Sequence, residues 1–391
     1  MSTRETELIG LVRAGEANPE ARVDARAMLE RMWEPVSPAP RGLRRVVFLA
    51  AGAAVSVKLP ALVGMDATNR LDEYASLIGI LVMPWVFAVY AVGRNHTIRM
   101  KAAATALFVV GVLTVRLFPF TDTSSTRILS ALHIPVVLWL AAGAWRAGTR
   151  WRDTKARLEF VRLTGDVALY FALSALAGGL LTGLGIGLFS SVAVGATDVF
   201  AEWIVPCGAA AAFVAACWVA DTGGSAMNRV VGVLQRAFTP MFAALMTVFV
   251  ITALSAGLLT TFDRDRVMLY DALLITVTAL AAYGIARGPV RTRWDDRALL
   301  AMTCAGVAVD VLLLASMVDR TTGLGVSPNR LAATGLNVVL LVNLGVIAVL
   351  QWRMLRGRGD GPARWLGNYL GVLAAWAAVV AFAFPVVFAG Q

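Results

Sequence analysis

Five ionisable side chains interrupt long apolar runs of this chain: Lys58, Arg116, His133, Asp271 and Asp310. A charge facing lipid at the centre of a spanning helix costs at least about 2.5–3.5 kcal/mol, so such residues turn inward, pair, or mark the path of an ion. Two cations, two anions and one imidazole are able to neutralise one another. Counted at 1.5 Å of rise per residue from where each run enters the membrane, Asp310 and Lys58 lie about 18–20 Å up and Arg116 about 22 Å. Asp271 and His133 come out near 22–24 Å on the same scale. All five therefore share the outer half of a bilayer, and Asn337 joins them at similar depth. Such a cluster predicts an outward-opening polar cavity for an ion, a proton or a small polar ligand, with Asp310 paired to Lys58 or Arg116. The competing reading is snorkelling of Lys58, Arg116 and Asp271 to the outer surface.

Other chemistry finds less support. No GxxxxGK[ST] phosphate loop occurs, so direct ATP hydrolysis is unsupported. Membrane hydrolases and transferases need a local constellation of carboxylate, His or Ser, and none stands out. Cys207, Cys217 and Cys304 lie in apolar runs without CxxC spacing and read as small apolar residues. No metal site and no cofactor is expected.

The elements that must position the charges follow from hydropathy. A mean hydropathy of +0.72, with 58% hydrophobic and 15% charged residues, lies outside the soluble range of about 45–50% apolar and about 25% charged. Spanning a core of about 30 Å takes roughly 20 apolar residues. Eleven such runs predict an all-α polytopic transmembrane bundle, with spans near 45–65, 74–93, 102–120, 127–145, 166–190, 201–220, 237–259, 267–286, 298–318, 331–351 and 366–387. The net charge of +10 is not a nucleic-acid signature, because it sorts by side. With the N-terminus inside, the inner loops from Arg41 carry 22 Lys and Arg, against 6 in the outer loops (Arg70, Arg127, Arg264, Arg266, Arg320 and Arg330). Acids such as Asp66, Asp72, Asp122, Glu202 and Asp319 gather toward the outer side. The expected topology is N-terminus in the cytoplasm and C-terminus outside, in a plasma or inner membrane, with the bilayer as the main partner.

Residues 1–44 form a cytoplasmic segment and 45–391 the membrane domain. Asn18-Pro19 reads as a helix start, with Met28, Leu29, Met32 and Trp33 on one face before the Pro35–Pro40 break. Two short helices bury little core, so residues 1–40 are expected to dock on the inner leaflet or on a cytoplasmic protein partner. The basic 146–165 stretch is expected to form an interfacial helix. Gly179, Gly183 and Gly187 recur every four residues, a face that another helix can approach closely.

The stretch Gly325-Val326-Ser327-Pro328-Asn329-Arg330-Leu331-Ala332, then Gly335-Leu336-Asn337, resembles a segment of an uncharacterised family of bacterial polytopic membrane proteins. The run from Tyr369 through Trp376 to Phe384-Pro385 is similar to that family's final span, and the likeness covers about residues 300–388. The resemblance implies a membrane bundle and carries no activity. From the residues themselves, Ser327 and Pro328 read as N-cap and first-turn proline. Arg330 is left over as a candidate to pair with an outer acid or to meet an anionic ligand group. The function that fits best is transporter or permease-like; a non-transporting sensor or scaffold acting through its N-terminal segment comes second.

Overall fold

The computed structural model describes residues 42–64, 71–121, 124–189, 196–222, 239–240, 243–244, 247–248, 251, 264–287, 293–325 and 327–388. The N-terminal segment expected at 1–40 and most of the expected span 237–259 lie outside them. The chain divides into two compact units, Met1–Val47 and Phe48–Gln391, and of the first the described part is residues 42–47.

Every regular element among the described residues is helical. They are α1 (Leu43–Ser56), α2 (Leu71–Ala91), α3 (Ile98–Leu117), α4 (Ser125–Ala147), α5 (Thr154–Phe189), α6 (Val205–Thr222), α7 (Arg264–Ala286), α8 (Arg293–Leu324), α9 (Pro328–Leu355) and α10 (Ala363–Ala378). Nine of the described helices are long and apolar enough to cross a membrane, and α7 adds a shorter apolar stretch, Tyr270–Ala286. The chain is thus a multi-pass membrane protein.

Local chemistry sets the helix ends. Thr97, Ser124 and Ser327 each accept a hydrogen bond from the backbone N–H three residues on, capping α3, α4 and α9, and Pro328 fills the first turn of α9 as expected. The first span is not one continuous α-helix. Pro60 has no N–H to give and forces a break, so α1 stops at Ser56 and a 3-10 turn, Leu59–Val63, follows. The basic 146–165 stretch is also not a separate interfacial helix. A 3-10 turn, Gly148–Arg150, ends α4, and α5 starts at Thr154 and runs unbroken to Phe189, because no proline interrupts it.

Packing produces two apolar cores in the large unit. One joins α1, α2, α4, α5 and α6 around Tyr90, Ile134, Leu138 and Val214, each 0–1% exposed. The other joins α7, α8 and α9 around Leu274, Met302, Leu313 and Ile347. Close approach depends on missing side chains: a Cβ at Gly79 of α2 would lie 2.4 Å from Pro135 Cγ of α4, and one at Gly165 of α5 would lie 2.2 Å from Tyr283 Cδ2 of α7. The four-residue glycine face expected in α5 is different. No described atom lies within 4 Å of a Cβ placed at Gly179 or Gly183, and Leu176, Leu180 and Leu181 beside them are at least 66% exposed, so this stretch meets no described helix. The surroundings of Gly187 lie outside the described set.

Candidate functional site

Around the first core, charged groups find partners. Arg94, past the end of α2, sets one guanidinium nitrogen 3.0 Å from both oxygens of Asp221 at the end of α6. Arg146 of α4 donates to the same carboxylate at 2.7 Å. Asp221 is 9% exposed, and two guanidiniums compensate it. Arg162, Asp166, Tyr283 and Arg287 form a second polar cluster, in which Tyr283 donates to Asp166 at 2.5 Å and Arg287 donates to Tyr283 at 2.8 Å. Sequence reasoning missed both. The available signal was an acid at the basic end of a span, where the loop charges favour cations.

Lys58 sits at the break made by Pro60, and this frees its side chain to reach sideways. Its ammonium donates at 2.7 Å to the carbonyl of Glu202 and lies 4.2 Å from the centroid of the Trp203 ring. Both acceptors belong to a π-helical segment, Phe200–Ile204, that leads into α6. A second π segment, Val379–Ala383 after α10, is treated alike: Ser130 of α4 donates to the Ala381 carbonyl at 2.8 Å. Irregular backbone in a membrane helix exposes acceptors, and neighbouring side chains satisfy them here.

The expected pair between Asp310 and Lys58 or Arg116 is therefore not formed. Equal depth is not proximity, for Lys58 packs beside α6 and Arg116 lies exposed near the end of α3, whereas Asp310 belongs to the α7–α9 core. His133 closes onto its own helix, Nδ1 lying 2.8 Å from the Leu129 carbonyl. Arg330 donates to the Gly325 carbonyl at 2.7 Å, tying down the start of α9. Of the candidates, the structure gathers three: Asp271, Asp310 and Asn337.

These three sit on helices whose polar residues recur at seven. Asp271 and Thr278 on α7, Thr303, Asp310 and Met317 on α8, and Asn337 and Gln351 on α9 are spaced by seven or fourteen, which keeps them on one helix face. A Cβ at Gly306 would touch Val277 Cγ1 at 3.1 Å and Leu344 Cδ1 at 3.5 Å, so those three positions share a level. Counting from there along antiparallel neighbours, Asp310 lies one turn above, Asp271 about 3 Å higher still, and Asn337 about 5 Å higher. Asn337 Nδ2 donates to Asp271 Oδ1 at 2.9 Å and approaches Met317 Sδ at 3.3 Å. The alternative amide orientation would set its carbonyl against a carboxylate, so the donor faces Asp271.

Asp310 is 0% exposed, and neither of its carboxylate oxygens has a hydrogen-bond partner among the described residues. Among the described residues the charge that acts on it is that of Asp271, of the same sign. Asn337, also 0% exposed, leaves its Oδ1 unpartnered. Among the described residues, seven unpartnered buried polar atoms lie on α7–α9 (Thr278 Oγ1, both Asp310 oxygens, Asn337 Oδ1, Asn343 Nδ2 and both Gln351 amide atoms), against three on other helices, two phenols and an indole. Sequence reasoning found Asp271, Asp310 and Asn337 but not Thr278, Asn343 or Gln351; the seven-residue recurrence would have exposed Thr278 and Gln351, but not Asn343, which lies six residues after Asn337. Trp365 of α10 donates to Asn343 Oδ1 at 3.2 Å. Among the described residues no three His, Cys, Asp or Glu side chains gather as a metal site. No protein-family model matches this sequence, and no curated protein or solved structure matches it either, so the geometry of α7–α9 alone carries the functional argument.

Proposed function

We propose that the chain is a transporter or permease-like protein of a plasma or inner membrane, N-terminus in the cytoplasm, whose site is the polar seam of α7, α8 and α9. The observation that carries the reading is Asp310. An ionised carboxylate with no partner in a fully buried position costs several kcal/mol after relaxation. A purely structural bundle gains nothing from it. A site that must take up and release a charge or a polar ligand has a use for it, since unmet acceptors are what the ligand satisfies. The amides of Asn343 and Gln351 and the Thr278 hydroxyl continue the unmet polar groups along α7 and α9. The 22-to-6 loop charge ratio supports the orientation.

The test is access. In a background with Cys207, Cys217 and Cys304 replaced by Ala, Thr278→Cys is exposed to a membrane-impermeant methanethiosulfonate from each face of the membrane. Thr278 is 8% exposed, so labelling requires the seam to open to water. Labelling from at least one face is expected. Asn329→Cys and Asp360→Cys serve as controls for the outer and inner faces and read the topology in the same experiment. If both controls react and Thr278→Cys stays unmodified from both sides, the bundle does not open and the permease reading falls.

A further inference from the structure

We propose that Asp310, Asp271 and Asn337 form a binding site for one small inorganic cation, an alkali metal ion or a proton, held on oxygen. The proposal uses the same seam as the permease reading but requires no movement of the helices.

Chemistry of the unmet atoms selects the ligand class. Within about one helical turn of each other lie two carboxylates and an amide carbonyl, and the unpartnered atoms among them, Asp310 Oδ1, Asp310 Oδ2 and Asn337 Oδ1, are all acceptors. An anion would meet repulsion here. A neutral hydrogen-bonding solute brings acceptors as well as donors, and the Asn337 Nδ2 donor is already committed to Asp271. A cation is the one ligand class that unmet acceptors alone can hold, and it offsets the repulsion between Asp271 and Asp310, which no described cation relieves. Two carboxylates and one amide supply too few oxygens for calcium, which takes 6–8, and magnesium gives up its hydration shell reluctantly. A singly charged ion leaves a smaller demand on the protein. A proton works by the same neutralisation, since two buried carboxylates close together do not both stay ionised. The Asn337–Asp271 hydrogen bond orders one side of the site before any ion arrives, which lowers the cost of binding.

The full-length protein, purified in detergent, is melted by following fluorescence of its 11 tryptophans in NaCl or in choline chloride at equal ionic strength, at pH 8 and at pH 6. A ligand that binds only the folded state raises Tm with saturation. For the wild type a rise of a few degrees is expected, either in sodium at pH 8, which identifies the alkali ion, or between pH 8 and pH 6 without a sodium effect, which identifies the proton. Asp310→Asn and Asp271→Asn should each abolish that response while still unfolding cooperatively. A wild type indifferent to both sodium and pH overturns the proposal, as does a response that survives in both variants. A Tm response without thiol labelling of Thr278→Cys leaves the cation site standing and removes the permease; labelling without a Tm response does the reverse.

Discussion

The two cores of the large unit differ in how they treat buried charge. Around α1–α6, charge is kept near helix ends and met: Asp221 holds two guanidiniums, and Lys58 takes a carbonyl and an indole face. Ser130 satisfies a π-segment carbonyl there too. In α7–α9 several polar atoms sit mid-helix without a partner among the described residues, both Asp310 oxygens and Asn337 Oδ1 among them, and Asp310 and Asn337 are both 0% exposed. Apolar packing is equally complete in both, each core holding large side chains with no exposure. Poor packing therefore does not explain the unmet groups. The contrast separates a polar group that holds helices together, recognisable by its partners, from one that has no partner among the described residues.

The comparison breaks most forcefully at Asp221. Asp221→Ala strands Arg94 and Arg146, whose side chains are 28% and 19% exposed, so the loss should sit at the low end of the range for breaking a buried pair, about 3 kcal/mol. Thermal melting of the purified variant measures it. A Tm equal to the wild type would mean the first core is not held by this triad.

Packing should respond next. Gly79→Val drives a side chain into Pro135 and should cost about 1–3 kcal/mol, whereas Gly345→Val on α9, with no described atom within 4 Å, should cost nothing. Melting both variants side by side checks this; equal losses would contradict the close α2–α4 contact.

Lys58→Met removes one charge-assisted hydrogen bond and one cation–π contact at a half-buried position, for a loss of about 1 kcal/mol. Combined with Asp310→Asn, the effects should add within about 0.5 kcal/mol, because the two residues share no partner. A larger coupling in the double-mutant cycle would restore the pairing that depth alone suggested.

The smallest expected effect is at Asp310 itself. In sodium-free buffer at pH 8, Asp310→Asn should leave Tm unchanged or raise it, since it removes a buried charge that has no partner among the described residues. A fall of more than about 1 kcal/mol would reveal a cation that Asp310 depends on. Asp221 and Asp310, both aspartates in spanning helices, should thus respond with different sign or size to the loss of the same charge.

What was legible in the sequence were properties that add up along the chain. Apolar runs set the membrane class, and Ser327-Pro328 set the start of α9, because hydropathy and capping depend on a residue and its near neighbours. The cost of burying Asp310, Asp271 and Asn337 was equally plain, since it follows from residue type and depth. Depth, however, is one coordinate of three. Lys58 and Asp310 stand at similar height, and only the packing of helices sent Lys58 to the π segment before α6 and Asp310 into the α7–α9 seam. The Pro60 break that turns Lys58 sideways, the bond from Asn337 to Asp271, and the unmet oxygens of Asp310 each depend on which helix faces which, at what angle. Pairing of charges is a relation between neighbours in space, and the tertiary structure alone decides who those neighbours are.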